Sequence, residues 1–335
     1  MDGVSEREGP LGKKEDPPGP QLAGVTAVVL TYMRRRLAGD VTRSLCTLEG
    51  LSDDRIVVVV NGLGGLDDPQ LEANVRMVRL PNNTGPAGGF RKGMEVAFSD
   101  PTTTWVYLCE DDIGLFSLPA PRIASVLARV DGTDDTNTPI GAVVAYGRRF
   151  IGRGAHTVNV VPPVGLPGDM ETVDVACWGA TLVSRAVFEA GILPDPTWFF
   201  GLEDFDFFCR VREAGFAVLA DGEAARSVAT QQTSSGRDQA ISSERPSDAD
   251  EGWRSYYHAR NSIELTRRHG HPTWYAWQLA YSARHLQKAR SLAERSAILH
   301  GLWDGARGRM GENPRYARRV GEFDSPSPGD RAPAK

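Results

Sequence analysis

An α/β domain on a mainly parallel sheet is the fold class this sequence predicts, and two observations carry the prediction. Short β-branched or aromatic runs recur at Val25 to Tyr32, Ile56 to Val60 and Trp105 to Cys109, with Asn74 to Leu80 as a further short strand. Between them apolar residues return at helical spacing, Val41, Leu45 and Leu48 in one interval and Phe90, Met94 and Phe98 in another. A chain that keeps alternating in this way builds a parallel sheet with helices on its faces. In open sheets of that kind ligands bind beyond the carboxyl ends of the strands, so chemistry is expected there.

The later elements follow in order. Ile123, Val126, Leu127 and Val130 mark a helix, Ile140 to Tyr146 a strand, and Val158 to Pro167 an extended pair of segments. Val173 to Val183 reads as one strand running through Trp178-Gly179-Ala180, and Arg185 to Ala190 as a short helix. Phe205, Phe208, Val211 and Arg212 share a helix that Gly215 ends, and Phe216 to Ala220 is the next strand. Trp253 to Arg268 and Thr273 to His300 read as two long helices. Polar composition sets the boundaries: a disordered leader at 1–21, the main domain at 22–268 with a mobile loop at about 230–252, a C-terminal helical region at 269–320 and a disordered tail at 321–335.

With 335 residues, 41% hydrophobic and 24% charged, the chain can bury one large core with a helical appendage. A formal net charge of -5 gives no basic footprint for nucleic acid, which removes that partner class. Cys46, Cys109, Cys177 and Cys209 are widely separated among apolar neighbours, so reduced, buried thiols are expected rather than a zinc knuckle or redox pair. The longest aliphatic run, Ile56 to Val60, is far short of a membrane span, and the first twenty residues are Pro, Gly and charge rather than a signal sequence. A soluble, cytoplasmic protein is the expectation.

Three segments carry chemistry. Glu110-Asp111-Asp112 puts three adjacent carboxylates where the Trp105 strand should stop. Such acids repel one another unless a hard divalent ion neutralises them, although an acidic turn capping the next segment would also place them there. Pro81 to Gly93 is a Gly/Asn-rich loop entering a helix, where small residues let a ligand approach the backbone and the helix start favours negative charge. Its spacing is neither the dinucleotide fingerprint nor the P-loop, which disfavours a dehydrogenase or a classical nucleoside triphosphatase. Finally, Glu203-Asp204 opens a helix behind the aromatic step Trp198-Phe199-Phe200. The helix dipole alone favours acids there, but an ionised carboxylate aimed into a cleft could also take a proton from a hydroxyl.

In their order along the chain these segments resemble a family-2 inverting glycosyltransferase with the GT-A nucleotide-sugar-binding fold. Val28 to Tyr32 resembles the opening strand and its turn, Val57 to Gly62 the second strand, Asn82 to Gly93 the Asn-Gly loop, and Glu110 to Asp112 the Asp-x-Asp element. Gly88-Gly89-Phe90-Arg91, Tyr256-Tyr257 and Arg260-Asn261 look closest to galactofuranosyl- and rhamnosyltransferase-like members. The resemblance spans roughly Val25 to Glu264 and implies a mixed, mainly parallel sheet flanked by helices, with a C-terminal helical extension. It implies transfer of a sugar from a nucleoside diphosphate to a hydroxyl on a glycan, lipid-linked intermediate or natural product, assisted by a divalent cation (manganese or magnesium).

Carried over residue by residue, the resemblance makes Asp204 the base, with Glu203 orienting the acceptor or the base. It assigns donor binding to Thr31, Tyr32, Arg34, Asn61, Asn83, Gly85, Gly89, Arg91, Asp111, Trp178, Arg260 and Asn261. The metal would be held by Asp112, with Glu110 or Asp111 assisting; because Ala220 to Gln232 lacks the His that many relatives supply, Ser227, Thr230, Gln231, a water or His258 is the candidate to complete its shell. Glu110 stands where Asp is usual, and Arg91 where relatives often carry Asn. A nucleotidyltransferase that makes nucleotide sugars would need a Gly-rich basic loop after the first strand, where this chain has Thr31-Tyr32-Met33-Arg34. A non-catalytic sugar-binding module is the other alternative. Trp274, Trp277 and Tyr281, at helical spacing, are expected to pack on the main domain, and otherwise to line an acceptor groove, mediate a homodimer or rest on the inner face of a membrane.

Overall fold

Val25–Thr31 (β1) is buried along its whole length and forms the spine of the molecule. Parallel partners flank it on both sides, Ile56–Asn61 (β2) and Trp105–Glu110 (β4), and Arg76–Leu80 (β3) extends the parallel half beyond β2. The structure is a computed structural model and describes residues 22–48, 50–111, 123, 126, 127, 130, 138–145, 147–151, 157–160, 170–222, 251–270 and 272–316. The expected leader, the loop at 230–250, residues 161–169 of the expected extended pair, the tail at 321–335 and Asp112 lie outside the described residues.

Crossovers run through Arg35–Cys46 (α1), Pro69–Asn74 (α2) and Gly85–Phe98 (α3). Beyond β4 the sheet becomes mixed. Thr181–Ser184 (β10) lies antiparallel to both β4 and Ile140–Val144 (β5); Ala217–Asp221 (β11) is parallel to β5; Met170–Thr172 (β8) closes the far edge. The order of the eight strands is β3-β2-β1-β4-β10-β5-β11-β8. A second sheet of three strands joins Thr157–Val160 (β7), Gly147–Phe150 (β6) and Val175–Ala176 (β9). The remaining helices are Arg185–Glu189 (α4), Glu203–Glu213 (α5), Glu251–His269 (α6), Pro272–Lys288 (α7) and Leu292–Ala306 (α8).

Burial on both faces explains why the central strands read as unbroken apolar runs. Side chains alternate across the sheet, so Val28 and Leu30 enter one core with Phe90, Met94 and Phe207, while Ala27 and Val29 enter the other with Val41, Leu45 and Ile123. Each such Val, Leu or Phe contributes roughly 1.5–3 kcal/mol on leaving water. After β1 the chain moves outward to β2 and β3, then returns to lay β4 on the other side of β1. That reversal creates a topological switch point at the carboxyl ends of β1 and β4, where Leu30 pairs with Glu110.

Three expected elements differ. Val173 to Val183 is not one strand: β9 belongs to the small sheet, Ala180 takes a φ of 48°, and β10 enters the large one. Thr273 to His300 is two helices, because Ser291 accepts from the Glu294 N–H at 3.1 Å while Glu294 reaches back to the Arg290 N–H at 2.8 Å. This reciprocal pair starts a helix. The strand expected from Asn74 begins at Arg76, after α2, which Asp68 caps through Gln70 N–H at 2.9 Å. The aromatic stripe also divides: Trp274 packs on Phe150 at 5.2 Å between centroids, and Trp277 is 52% exposed. Among the described residues no helix is long and apolar enough to cross a membrane.

Candidate active site

The switch point holds a cleft of about 310 Å³, walled on one side by Tyr32, Arg34, Asn61, Asn83, Gly85, Glu110 and Asp111 and on the other by Phe199, Phe200, Trp253 and Arg254. Asp111 is only 6% exposed because two residues from the end of β1 hold it. Thr31 Oγ1 donates to it at 2.8 Å and Arg34 Nη1 at 3.0 Å. This interlock fixes the end of β4 against the turn after β1, and it places a guanidinium beside the acids.

Asn61, at the carboxyl end of β2, builds the next part of the wall. Its Nδ2 donates to Gly85 O at 2.9 Å and Asn83 Oδ1 at 3.2 Å; its Oδ1 accepts from Thr84 N–H and Thr84 Oγ1, each at 2.9 Å. Asn83 Oδ1 also accepts from Gly85 N–H at 2.9 Å. The loop is therefore set by side-chain amides, and the N-terminus of α3 opens on the cleft with its partial positive charge. Gly85 is required twice over. Its φ is +70°, and a Cβ would strike the backbone carbonyl of Phe199 on the opposite wall.

That opposite wall is strained. Phe199 has φ 61°, Gly201 79° and Leu202 64°, so two residues with side chains occupy left-handed space immediately before α5, at about 1–3 kcal/mol each. Asn261 and Arg260, both fully buried on α6, hold the strain in place. Asn261 Nδ2 donates to the carbonyls of Trp198, Phe200 and Gly201 at 3.2, 2.8 and 2.6 Å; Arg260 donates to Trp198 O at 2.7 Å and Gly311 O at 2.5 Å. Their sequence-based assignment to donor binding is corrected accordingly: neither side chain reaches the cleft, and both clamp its wall.

Three acids begin α5 and meet different fates. Asp206 is saturated by Arg210 at 2.9 Å, His269 at 3.0 Å and Arg268 at 3.4 Å. Glu203 and Asp204 form no ion pair among the described residues. Burial pushes the Glu203 carboxyl well above the ordinary 4.5, and the charges of Asp204 and then Glu110 push it further. Its Oε2 and the nearby Trp178 Nε1 are both buried without a normal hydrogen bond among the described residues, although the indole favours the carboxylate. Burial also raises Asp204 from 3.8 to about 6, against the Phe205 N–H, the Cys177 thiol and the Arg148 guanidinium. A partly exposed carboxyl near 6 beside a buried one pushed higher still by desolvation is the pairing expected where acid–base work is done.

The strand-end acid Glu110 and the helix-start acids lie near enough for their charges to interact. Glu110 acts on Glu203, and Asp204 and Glu110 together act on Cys177, whose thiol is pushed up to about 12 by desolvation, then by Asp204. Cys177 is exposed rather than buried, a correction to the expectation for the thiols, and it stays protonated beside Asp204.

The other sequence-predicted residues sort by position. Thr31, Tyr32, Arg34, Asn61, Asn83, Gly85, Glu110 and Asp111 come together at the cleft, Thr31 through its bond to Asp111. Gly89 does not: it faces β1, where a Cβ would meet Leu30 Cδ1, so its smallness serves helix–sheet packing. Arg91 lies on the outer face of α3 and pairs with Glu95 at 3.1 Å. Trp178 is core, 5.0 Å from Phe90 and 5.3 Å from Phe207 between centroids. His258 lines a separate groove between α6 and α7 with His285, away from Glu110. Phe199, Phe200, Trp253, Arg254, Cys177 and Arg148 were missed; only the aromatic step before the acid pair signalled any of them.

For a divalent cation the described residues offer an incomplete donor set. Glu110 and Asp111 bring two carboxylates to the cleft, but Asp111 is engaged by Thr31 and Arg34, and no group of three His, Cys, Asp or Glu that could hold a metal occurs among the described residues.

No family model matches the chain, and no curated protein sequence is similar to it. Among solved structures it is similar to S. aureus TarS residues 1–349, with TM-score 0.39 and 12% identity over 85% of this chain and 91% of that one. It is also similar to GalNAc-T7 with UDP, GalNAc and Mn2+, with TM-score 0.39 and 12% identity over 59% of this chain and 41% of that one. At that distance the chemistry has to be argued from the site itself.

Proposed function

We propose that this protein is an inverting glycosyltransferase that moves a sugar from a nucleoside diphosphate to an acceptor hydroxyl. One observation supports the reading: Glu110, which lines the cleft at the end of β4, lies near enough to the acid pair at the start of α5, remote in sequence, for its charge to raise the Glu203 carboxyl. One group of acids suits a charged donor and the other a proton acceptor.

In this reading the diphosphate lies over the amino end of α3, beside Arg34 and Arg254, which line the cleft. Tyr32, Phe200 and Trp253 offer faces for the base and sugar. Asp204 takes the proton as the acceptor oxygen bonds to the anomeric carbon, while the bond to the phosphate oxygen breaks on the opposite face and its electron pair leaves with the diphosphate. Glu203, buried and with its carboxyl pushed up by desolvation and by Asp204, holds the adjoining wall. A manganese or magnesium ion, held by Glu110 with Asp112, would supply further positive charge at the leaving group. Glycans, lipid-linked intermediates and small natural products are the acceptor classes, in a cytoplasmic setting.

The test is incubation of the whole protein with a panel of nucleoside-diphosphate sugars, with and without manganese, and identification of the released phosphate product. Nucleoside diphosphate release that depends on Asp204 supports transfer; pyrophosphate release would point to nucleotidyl transfer, and binding without turnover to a sugar-binding module.

A further inference from the structure

Next to the donor cleft, with which one of them shares Arg254, two cavities of about 250 Å³ each share His258, Gln278 and Tyr281 as walls. One abuts Leu202 and Phe205, the residues that bracket Glu203-Asp204, and reaches Arg148 on β6; the other runs between α6 and α7 to His285 and Arg254. Together they make a groove from Leu202 and Phe205, the neighbours of the candidate base pair, to the C-terminal helices. Its chemistry is one-sided. Arg148, Arg254, His258 and His285 line it and no Asp or Glu does, in a chain whose net charge is -5 and whose donor cleft carries Glu110 and Asp111.

The polar groups of the groove are also incompletely used. Arg148 Nε is buried with no hydrogen-bond partner among the described residues, its guanidinium lying 5.9 Å from the centre of the Phe205 ring. Gln278 and Ser282, 6% and 5% exposed, meet each other only at 3.4 Å. His258 and His285 stand 6.3 Å apart between centroids with Tyr281 against His285 at 4.4 Å, so both imidazoles wall the same cavity. Buried donors without acceptors favour an acceptor-rich ligand.

We propose that this groove binds the acceptor through an oxyanion, a phosphate or carboxylate carried on the sugar that receives the glycosyl group, and so presents its hydroxyl to Asp204. The inference rests on Asp204 being the base, and it assigns His258 to the acceptor rather than to a metal.

Calorimetric titration of the full chain with glucose 1-phosphate, glucuronate and methyl glucoside tests it, with UDP plus manganese titrated in parallel. The charged sugars should bind at least about tenfold more tightly than the neutral glycoside, the worth of one charge-assisted hydrogen bond. Arg148→Gln, and separately His258→Gln with His285→Gln, should each remove most of that preference and leave UDP affinity within about twofold. His258 and His285 are exposed, so the double variant keeps the fold if Arg148→Gln does not. Equal binding of methyl glucoside, or anion affinity untouched by both variants, overturns the proposal, as does loss of manganese-dependent UDP binding in the histidine variant. Anion binding without UDP binding in the wild type would count against the transfer reading alone; the reverse would sink the groove and leave the transfer reading standing.

Discussion

Asp204→Asn should make the protein more stable and inactive at once. Burial holds the Asp204 carboxyl near 6 in the folded chain against 3.8 for the ordinary group. A carboxyl whose folded value is raised contributes stability fully present below 3.8 and lost as pH rises through about 6, so at pH 7.5 the ionised group works against folding. At 1.36 kcal/mol per pH unit the displacement is worth about 3 kcal/mol, and solvent reaching the partly exposed side chain reduces this to about 2 kcal/mol. The Asn isostere keeps an oxygen for the Phe205 N–H at 2.8 Å and carries no charge toward Glu203. Thermal melts without nucleotide or metal should therefore show a Tm gain of about 3 °C at pH 7.5. The gain should fade as the pH is lowered through 6 toward 4, where wild-type Asp204 is itself protonated.

The same substitution should abolish transfer, and wild-type kcat should fall below about pH 6 as Asp204 takes up a proton. A variant less stable than wild type at pH 7.5, or a gain as large at pH 4.5 as at 7.5, would refute the assignment of Asp204 as a desolvated, functionally placed carboxylate.

Three further outcomes are expected. Asn261→Ala removes the donor to three wall carbonyls and should cost about 2–3 kcal/mol in urea unfolding, with kcat falling further than donor affinity; intact kcat would mean the wall does not need its clamp. Gly85→Ala puts a side chain at φ +70° against Phe199 and should cost at least about 1–2 kcal/mol while weakening UDP binding, and unchanged binding would separate this loop from the donor. Asp112→Ala should abolish the manganese- or magnesium-dependent part of donor binding measured by thermal shift; an unchanged metal response would remove it as a ligand.

What the sequence reveals here is what local chemistry decides. Val28, Val29 and Ile56 to Val60 announce central strands because a strand buried on both faces has no place for polar residues. Phe90, Met94 and Phe98 give α3 through their period alone. The break at Ala180 is invisible in that way: its left-handed backbone is imposed by the need to carry the chain between two sheets. Within one loop the two glycines Gly85 and Gly89 look alike, yet one faces the cleft and the other Leu30, a distinction that depends on which way a helix is turned. Arg260 and Asn261 have the residue types of a phosphate fork. Their partners are main-chain carbonyls some sixty residues earlier, and a backbone acceptor leaves no mark in sequence.

The clamp explains how a strained wall can also be a rigid one. Two left-handed residues with side chains cost about 2–6 kcal/mol in total, an amount a free loop would relieve by relaxing. Four hydrogen bonds from Arg260 and Asn261 to the wall carbonyls, that of the guanidinium being charge-assisted, are of the magnitude needed to offset it. Arg260 Nε also donates to Asn261 Oδ1 at 2.8 Å, so the two side chains orient each other. The direction in which Glu203 and Asp204 leave the wall is thus decided by α6, and α6 in turn is held by α8, whose Gly301 and Gly305 let the helices approach until a Cβ would touch the Tyr256 and Arg260 carbonyls. The C-terminal helices are in this sense part of the candidate site: without α6 seated on its neighbours, the acid pair would have no fixed relation to Glu110, and the arrangement on which the proposed transfer rests would be lost.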